Sequence, residues 1–316
     1  MFIGIDIGGT NIKSVLADEN GKILQTGDIA TAKTPKLINE GIVSLIGKLT
    51  FDSGIKQREI GAVGIGAAGS IDRNRGVIIS SPNIPCWNNY PLVASLEKIL
   101  SMRVFLENDA TVACAGFWFQ DRKINYKTFV MVTLGTGIGG GAVIDDRLFT
   151  GQNGSSLEIG HMSIDINGKE CICGNRGCLE KYASATALVD YAKTHLKKYK
   201  NSSLHKRMKN DELTAKMIYE EALQKDELSI KSFEYISFYL GAGIANIINI
   251  FNPEAVIIGG GLSGAHKLII PTVKKIVSER AMKGMKEKVK IFAVKNQSAI
   301  PALGAAKIAM DRLNYF

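Results

Sequence analysis

The sequence has no apolar run long enough to cross a bilayer. Its longest, around Ile244–Phe251, is broken by Asn246 and Asn249 and falls far short of the roughly 20 residues that a spanning helix needs. There is no basic leader either. Phe2–Ile7 already reads as a strand, with Asp6 inside it, which is not the pattern of a signal peptide. Cysteine is scarce: there are 5 in 316 residues, and three of them crowd into Cys171–Cys178, so a disulfide-stapled secreted domain does not fit. The net charge is +9, but the local basic excess at Lys193–Lys200 and Ala281–Lys290 has no interleaved aromatics. These stretches read as solvated helix faces rather than a nucleic-acid groove. The surplus suits a polyanionic small molecule such as a nucleotide equally well. The expectation is a cytoplasmic protein with neither a membrane nor a nucleic acid as partner.

What the chain does have is ordinary apolar content, 46%, enough for sizeable cores. Its length suggests about two domains. The 33 glycines concentrate in loops after apolar runs, and one unit occurs twice. Phe2–Ile7, Gly8-Gly9-Thr10-Asn11 and Ile12–Ala17 read as strand, glycine turn and returning strand, with a third strand at Lys22–Ile29. Phe129–Leu134, Gly135–Gly141 and Ala142–Ile144 repeat the arrangement. A glycine turn at a hairpin tip leaves backbone N–H groups free for phosphate oxygens. Each loop alone is an ordinary hairpin, but the repetition, with a threonine in both, favours a nucleotide.

Further strands are expected at Ile60–Ile65, Arg103–Leu106, Met162–Asp165, Ala255–Ile258 and Val289–Val294. Helices are expected at Leu37–Leu49, Pro91–Leu100, Ala110–Phe119, Leu179–Lys193, Glu212–Leu223, Ile230–Ile250, His266–Ser278 and Ala302–Leu313. A third glycine turn, Gly259-Gly260-Gly261, follows Ala255–Ile258. It fits a close approach to a base or ribose as well as a plain strand-to-helix turn.

Cys171-Ile-Cys173-Gly-Asn-Arg-Gly-Cys178 and His161, ten residues upstream, supply a Cys3His set, the ligand count of a closed structural zinc site. Gly174 and Gly177 allow the reversals that would gather the thiols. A disulfide fits poorly, because Cys-X-Cys rarely reaches disulfide geometry; free buried thiols are the other alternative. Glu158 and Glu180 flank the cluster, and zinc is expected to hold them in register.

Four segments together, Asp6-Ile-Gly-Gly-Thr10, Leu134-Gly-Thr-Gly-Ile-Gly-Gly-Gly141, Glu158-Ile-Gly-His161 and Cys171-Ile-Cys-Gly-Asn-Arg-Gly-Cys-Leu-Glu180, closely resemble the motifs of the ROK family of repressors, open reading frames and sugar kinases. The resemblance runs from Phe2 to about Met310 and implies the actin/hexokinase/Hsp70 fold. That fold is α/β, with two ribonuclease-H-like domains and an interdomain cleft. Residues 1–108 would form the small domain, completed by the C-terminal helix at about 302–316. Residues 109–301 would form the large domain with the zinc motif. The resemblance further implies an ATP-dependent, glucokinase-like enzyme that phosphorylates the 6-hydroxyl of glucose and forms a homodimer. N-acetylmannosamine or N-acetylglucosamine kinases are the alternative. A sugar-sensing transcriptional regulator is the non-enzymatic one, although the chain starts directly in the first strand, without the helix-turn-helix arm of such members.

Carried over by position, the resemblance sets the ATP phosphates against Gly8, Gly9, Thr10, Asn11, Thr136 and Gly137. Magnesium would lie near Asp6 and the adenosine near Gly260 and Gly261. The sugar would be held by Asn108, Asp109, Glu158, His161 and Glu180, with Gly69 and Asn83 as neighbours. Zinc would be bound by His161, Cys171, Cys173 and Cys178. One departure stands out: Ser156-Leu157 precedes Glu158, where glucokinase-like members usually carry small residues, commonly Ala-Gly. Asp109 is the expected base for the hydroxyl proton. Read without the resemblance, an Asp between a strand and a helix is first a helix cap. Four protein ligands leave no open position on the metal, which argues against a zinc hydrolase.

Overall fold

The computed structural model describes residues 1–81, 83–120, 126–152, 154–208, 211–294 and 298–314. By packing, the chain forms two units. One contains Met1–Lys127, Gly141–Leu157 and Gln297–Phe316; the other contains Thr128–Gly140 and Glu158–Asn296. The expected boundary after Asn108 is not where this division falls. The helix that begins at Asp109 groups with the first unit, as do residues 141–157, and the division passes through a strand.

The first unit is built on a five-stranded sheet. β1 (Phe2–Ile7), β2 (Asn11–Ala17) and β3 (Ile23–Ala30) form an antiparallel meander. β4 (Ala62–Ala67) and β8 (Val104–Asn108) run parallel to β1, giving the order β3-β2-β1-β4-β8. A small sheet, β5 (Ser70–Asp72), β6 (Val77–Ser80) and β7 (Asn88–Tyr90), is inserted between β4 and β8. The helices are α1 (Pro35–Ser53), α2 (Leu92–Leu100), α3 (Asp109–Gln120) and, at the C-terminal end, α10 (Ile300–Leu313).

β1 shows why the sheet carries helices on both faces. Ile3, Ile5 and Ile7 alternate into one core with Ile38, Ile42 and Leu45 of α1 and Leu92 and Leu96 of α2. Phe2 belongs to the opposite core with Ala302, Leu303, Ala306 and Ala309 of α10. A central strand buried on both sides reads as a continuous apolar run rather than an alternating one. On the α10 face, β1 and β4 carry glycine where the helix comes closest. A side-chain carbon on Gly4 would overlap the Ala302 carbonyl oxygen, and one on Gly64 the Ala305 carbonyl oxygen. Helix and sheet therefore meet backbone to backbone. α3 crosses α10 in the same manner, Gly116 against Ile300 and Gly304 against Val112.

The second sheet has the order β11-β10-β9-β12-β13. Its strands are β9 (Phe129–Leu134), β10 (Ile138–Ile144), β11 (Arg147–Phe149), β12 (Ala255–Gly259) and β13 (Lys290–Ala293). β12 runs parallel to both β9 and β13. The second unit holds α4 (Glu180–Ala183), α5 (Ala185–His195), α6 (Leu204–Arg207), α7 (Ala215–Leu223), α8 (Glu227–Phe251) and α9 (His266–Arg280). Among the described residues, no helix is long and apolar enough to cross a membrane.

Two expected elements differ. Met162–Asp165 is not a strand; only an isolated bridge, Ser163 to Cys178, forms there, because the chain turns to bring the cysteines together. The helix expected over Leu179–Lys193 is split at Ser184, whose extended backbone (ψ 173°) and side chain cap α5 by accepting from the Ala187 N–H. The short strands β5, β6, β7 and β11 were not anticipated, since three or four residues show no usable period.

The backbone seat of α10 sets a clear expectation. Gly64→Ala should cost about 3 kcal/mol and lower the melting temperature by roughly 6–12 °C, as overpacking against an unyielding backbone does. Calorimetry showing an unchanged melting temperature would mean that α10 does not sit this close.

Candidate functional site

Each unit contributes part of the expected residue set, on strand ends and hairpin tips. In the first unit, the β1–β2 hairpin closes with the Gly8 N–H donating to the Asn11 carbonyl at 3.0 Å. Its base is pinned where the Thr31 hydroxyl donates to the Gly8 carbonyl at 2.7 Å. Gly9, Thr10 and Asn11 are left exposed. Asn83 lies against this tip: its Cβ would stand 3.1 Å from a side-chain carbon on Gly9. Gly69 (φ 117°) packs tightly on Ser80 and Ser81, so the structure places both Gly69 and Asn83 in this region. Pro82, between Ser81 and Asn83, lies outside the described residues.

Behind the tip, one row of residues is in register across all five strands: Asp28, Lys13, Asp6, Gly66 and Glu107. Directly opposed residues share a face of the sheet, so Asp6 faces Lys13. Among the described residues the Asp6 carboxylate makes no hydrogen bond or ion pair. Burial, together with the negative charge of Asp109, pushes its pKa up to about 6 against the downward pull of Lys13.

The end of β8 shows which residue caps the following helix. Asn108 does the capping. Its Oδ1 accepts from the Ala110 N–H at 2.9 Å and the Thr111 N–H at 3.3 Å, the pattern of an N-cap residue. Asp109 is the first helical residue. One of its oxygens accepts from the Ala110 N–H at 2.9 Å; among the described residues no donor occupies the other. Burial raises its pKa, and hydrogen bonding from the Ala110 N–H and from its own N–H lowers it only in part.

The neighbouring Glu107 is 1% exposed. Its Oε2 accepts from Arg73 Nη1 at 3.3 Å and its Oε1 from the Asn108 N–H at 3.1 Å. Burial raises its pKa, opposed chiefly by Arg73. No local signal announces this pairing across 34 positions.

In the second unit the hairpin tip between β9 and β10 has the Gly135 N–H donating to the Gly137 carbonyl at 2.9 Å. It is anchored to the start of α5 by the Ala185 N–H to the Gly135 carbonyl (2.9 Å) and the Thr186 hydroxyl to the Thr136 carbonyl (2.8 Å). Gly260 (φ 81°) lies flush on the backbone of Leu134, immediately before this tip. Gly261 beside it is exposed, with no atom over it. The two glycine turns of this unit are therefore adjacent.

The cysteine segment is a compact knot. The Cys171 N–H donates to the Asn175 carbonyl (2.9 Å) and the Ile164 N–H to the Gly177 carbonyl (2.8 Å). Gly177 (φ 69°) has no room for a side chain against Asp165. His161 Nδ1 lies 3.6 Å from Cys171 Sγ, and Cys173 Sγ lies 3.7 Å from Cys178 Sγ. All four ligand atoms fall within 4.8 Å of one another. Bonds of about 2.3 Å to sulfur and 2.0–2.1 Å to nitrogen in a tetrahedron put neighbouring ligands roughly 3.6–3.8 Å apart. The donor set and these two edges therefore fit zinc.

Glu180, two residues beyond Cys178, uses Oε2 to accept from the Ile138 N–H at 2.9 Å. This joins the knot to the glycine hairpin. Glu158 is exposed, and its carbonyl accepts from the His161 N–H at 2.9 Å. Before it, Leu157 sits at φ 58°, a left-handed backbone that costs a leucine roughly 1–2 kcal/mol and a glycine little. That is a physical reason for a small residue at this position.

Comparison with known proteins follows the same lines. The ROK family profile matches residues 2–312. The chain is 38% identical over 316 residues to the glucokinase of Thermotoga maritima, covering 99% of this chain and 98% of that one. It is 31% identical to the xylose repressor of Bacillus subtilis, covering 98% of this chain and 77% of the repressor. Among solved structures, it is similar to the ROK family glucokinase from Streptomyces griseus in complex with glucose and AMPPNP. That match has a TM-score of 0.84 and 33% identity and covers 98% and 99% of the two chains.

The raised pKa of Asp6 makes stability depend on pH in a defined direction. The folded state holds the Asp6 proton more tightly than the unfolded chain, so this contribution is complete below about pH 4 and is lost as pH rises through about 6. Asp6→Asn should therefore stabilise the ligand-free protein at pH 8 by about 2–3 kcal/mol, with the difference vanishing near pH 4. Identical melting temperatures for parent and variant at pH 8 would refute it.

Proposed function

The chain belongs to the ROK family, and we propose that it acts there as an ATP-dependent kinase that transfers the γ-phosphoryl group to the 6-hydroxyl of glucose. Near-full-length similarity to glucokinases supports the reaction class. The observation that carries the mechanism is the end of β8: Asn108 caps α3, and Asp109 keeps an oxygen that no donor among the described residues occupies, at a place where burial raises its pKa. A carboxylate raised in this way is the better base at neutral pH, and phosphoryl transfer asks little else of a protein beyond alignment and charge neutralisation. Asp109 would take the hydroxyl proton. Asn108, with Oδ1 committed to the cap, keeps Nδ2 to donate to a sugar oxygen. Glu158, His161 and Glu180 would accept from further hydroxyls, since ionised acceptors grip them best.

Asp6 would orient magnesium, a hard cation that carboxylate oxygens suit. Asp109 adds its negative charge to the burial that raises Asp6, a local negative potential that a divalent cation would relieve. When bound, magnesium neutralises charge on the transferring phosphates. The exposed tips at Gly8-Gly9-Thr10-Asn11 and Thr136-Gly137 are assigned to those phosphates, and Gly260 and Gly261 to the adenosine. His161, Cys171, Cys173 and Cys178 would hold one structural zinc, keeping His161 and Glu180 in register without activating water.

Sugar-dependent ADP production tests the reading directly. kcat/KM should be higher for glucose than for N-acetylmannosamine or N-acetylglucosamine; a preference of tenfold or more for either acetylated sugar, within the range one pocket group achieves, overturns the substrate. No sugar-dependent ADP at all overturns the kinase and favours a sugar-responsive regulator, which the similarity to a repressor would then explain. Asp109→Asn should leave ATP binding nearly intact and lower kcat by roughly 10² to 10⁴-fold, the usual contribution of a general base.

Metal analysis of protein purified without chelator should find about one zinc per chain, as a closed four-ligand site requires. Cys173→Ser should then lower thermal stability and glucose affinity together. Zinc-free protein with unimpaired glucose binding would remove the metal from the account.

A further inference from the structure

The Arg73–Glu107 ion pair has no place in the chemistry described so far. It is almost fully enclosed, the side chains being 16% and 2% exposed. As a stabiliser such a pair is weak, because desolvation of two charges offsets most of their attraction. What distinguishes it is position. Both oxygens of Glu107 are in use, one on Arg73 and the other on the Asn108 N–H, and Asn108 in turn sets the start of α3, where Asp109 stands. Glu107 also lies in the strand row that holds Asp6. On its other side, Arg73 packs against Gly154: Nε, Cβ and Cδ would each lie 2.8–2.9 Å from a side-chain carbon there. Next to it the Ser155 hydroxyl donates to the Ile71 carbonyl at 3.5 Å. This segment continues directly into Leu157 and Glu158.

We infer that Arg73 and Glu107 are a positioning pair: the guanidinium fixes the carboxylate, the carboxylate fixes the Asn108 amide, and the Asp109 oxygen is thereby aimed at the sugar hydroxyl. The inference rests on the reading of Asp109 as the base of a sugar kinase. Neither side chain touches the reacting atoms. Loss of the pair therefore misaligns the base while leaving the groups that bind glucose and ATP in place, and the effect falls on kcat rather than KM.

The test uses the full-length protein and four variants: Glu107→Gln, Glu107→Leu, Arg73→Leu and the double Arg73→Leu/Glu107→Leu. Glu107→Leu should lower kcat at least tenfold, with KM for glucose and ATP within about twofold of the parent, the signature of an interaction felt in the transition state. Glu107→Gln keeps an acceptor for the Asn108 N–H and should hold kcat within about threefold. The double variant removes both charges of the pair, leaving neither partner buried without the other, and so should fold even if a single variant does not. Its kcat loss should match that of Glu107→Leu rather than exceed it, because residues acting as one unit are not additive.

A folded double variant with kcat within about twofold of the parent overturns the inference. So does a parallel loss of melting temperature, KM and kcat in the glutamine and leucine variants alike, which marks a purely structural role. A parent protein without sugar-dependent ADP production instead sinks the kinase reading, before any variant is compared.

Discussion

Helix α10 lies backbone to backbone on the first sheet, and the expected catalytic side chains of that unit depend on this seat. Gly4 and Gly64 withhold side chains on the face that meets Ala302 and Ala305, and Gly116 and Gly304 do the same where α3 meets α10. Protein interiors are packed too densely for one added carbon to be absorbed where the obstacle is main chain. The seat brings residues about 300 positions apart in sequence into one core with Phe2, Val15 and Phe105. It also fixes α3 against the end of β8, so Asp6 on β1 and Asp109 on α3 are held by the same contact surface. Rigid elements place functional groups more reproducibly than loops do, and here the rigidity comes from missing side chains.

The same region carries an electrostatic cost. Asp6, Glu107 and Asp109 all have raised pKa values, with burial the first cause in each case. Among the described residues, only Glu107 of the three has a cation within ion-pair distance. Lys13 stands opposite Asp6 and offsets its burial in part. Acids gathered in this way destabilise the ligand-free fold, and functional sites commonly carry such a penalty. Cations and hydroxyl donors would relieve it at Asp6 and Asp109, the two acids of the three that are proposed to face ligands. Leu157 adds a smaller local strain of the backbone kind.

In the second unit, covalent proximity does what packing does in the first. His161 and the three cysteines are close in sequence, and Glu180 follows the last of them by two residues. Its carboxylate then reaches across to the Ile138 N–H of the glycine hairpin. Tyr182 braces the far side of the knot, accepting from the Lys169 N–H at 2.8 Å and donating to Asp165 at 3.2 Å. A metal held by these four ligands would orient its neighbours through hydrogen bonds beyond the ligands themselves.

The local features were legible in the amino-acid sequence. The paired glycine hairpins, the Cys3His set and the long helices each follow from residues within a few turns of one another, where spacing and propensity act directly. The family motifs added expected roles for Asp6, Asp109, Glu158 and Glu180 that residue types alone left ambiguous. Spacing failed at Met162–Asp165, where gathering the cysteines overrode a strand-like pattern, and at Ser184, where a side-chain cap interrupted a helical one. What tertiary structure alone decided were the pairings between distant positions. Asn108 rather than Asp109 became the cap, Arg73 found Glu107 across the fold, and Leu157 was forced into a left-handed turn. Each of these is settled by which backbone and charge are brought within a few ångströms, and no period or propensity along the chain encodes that.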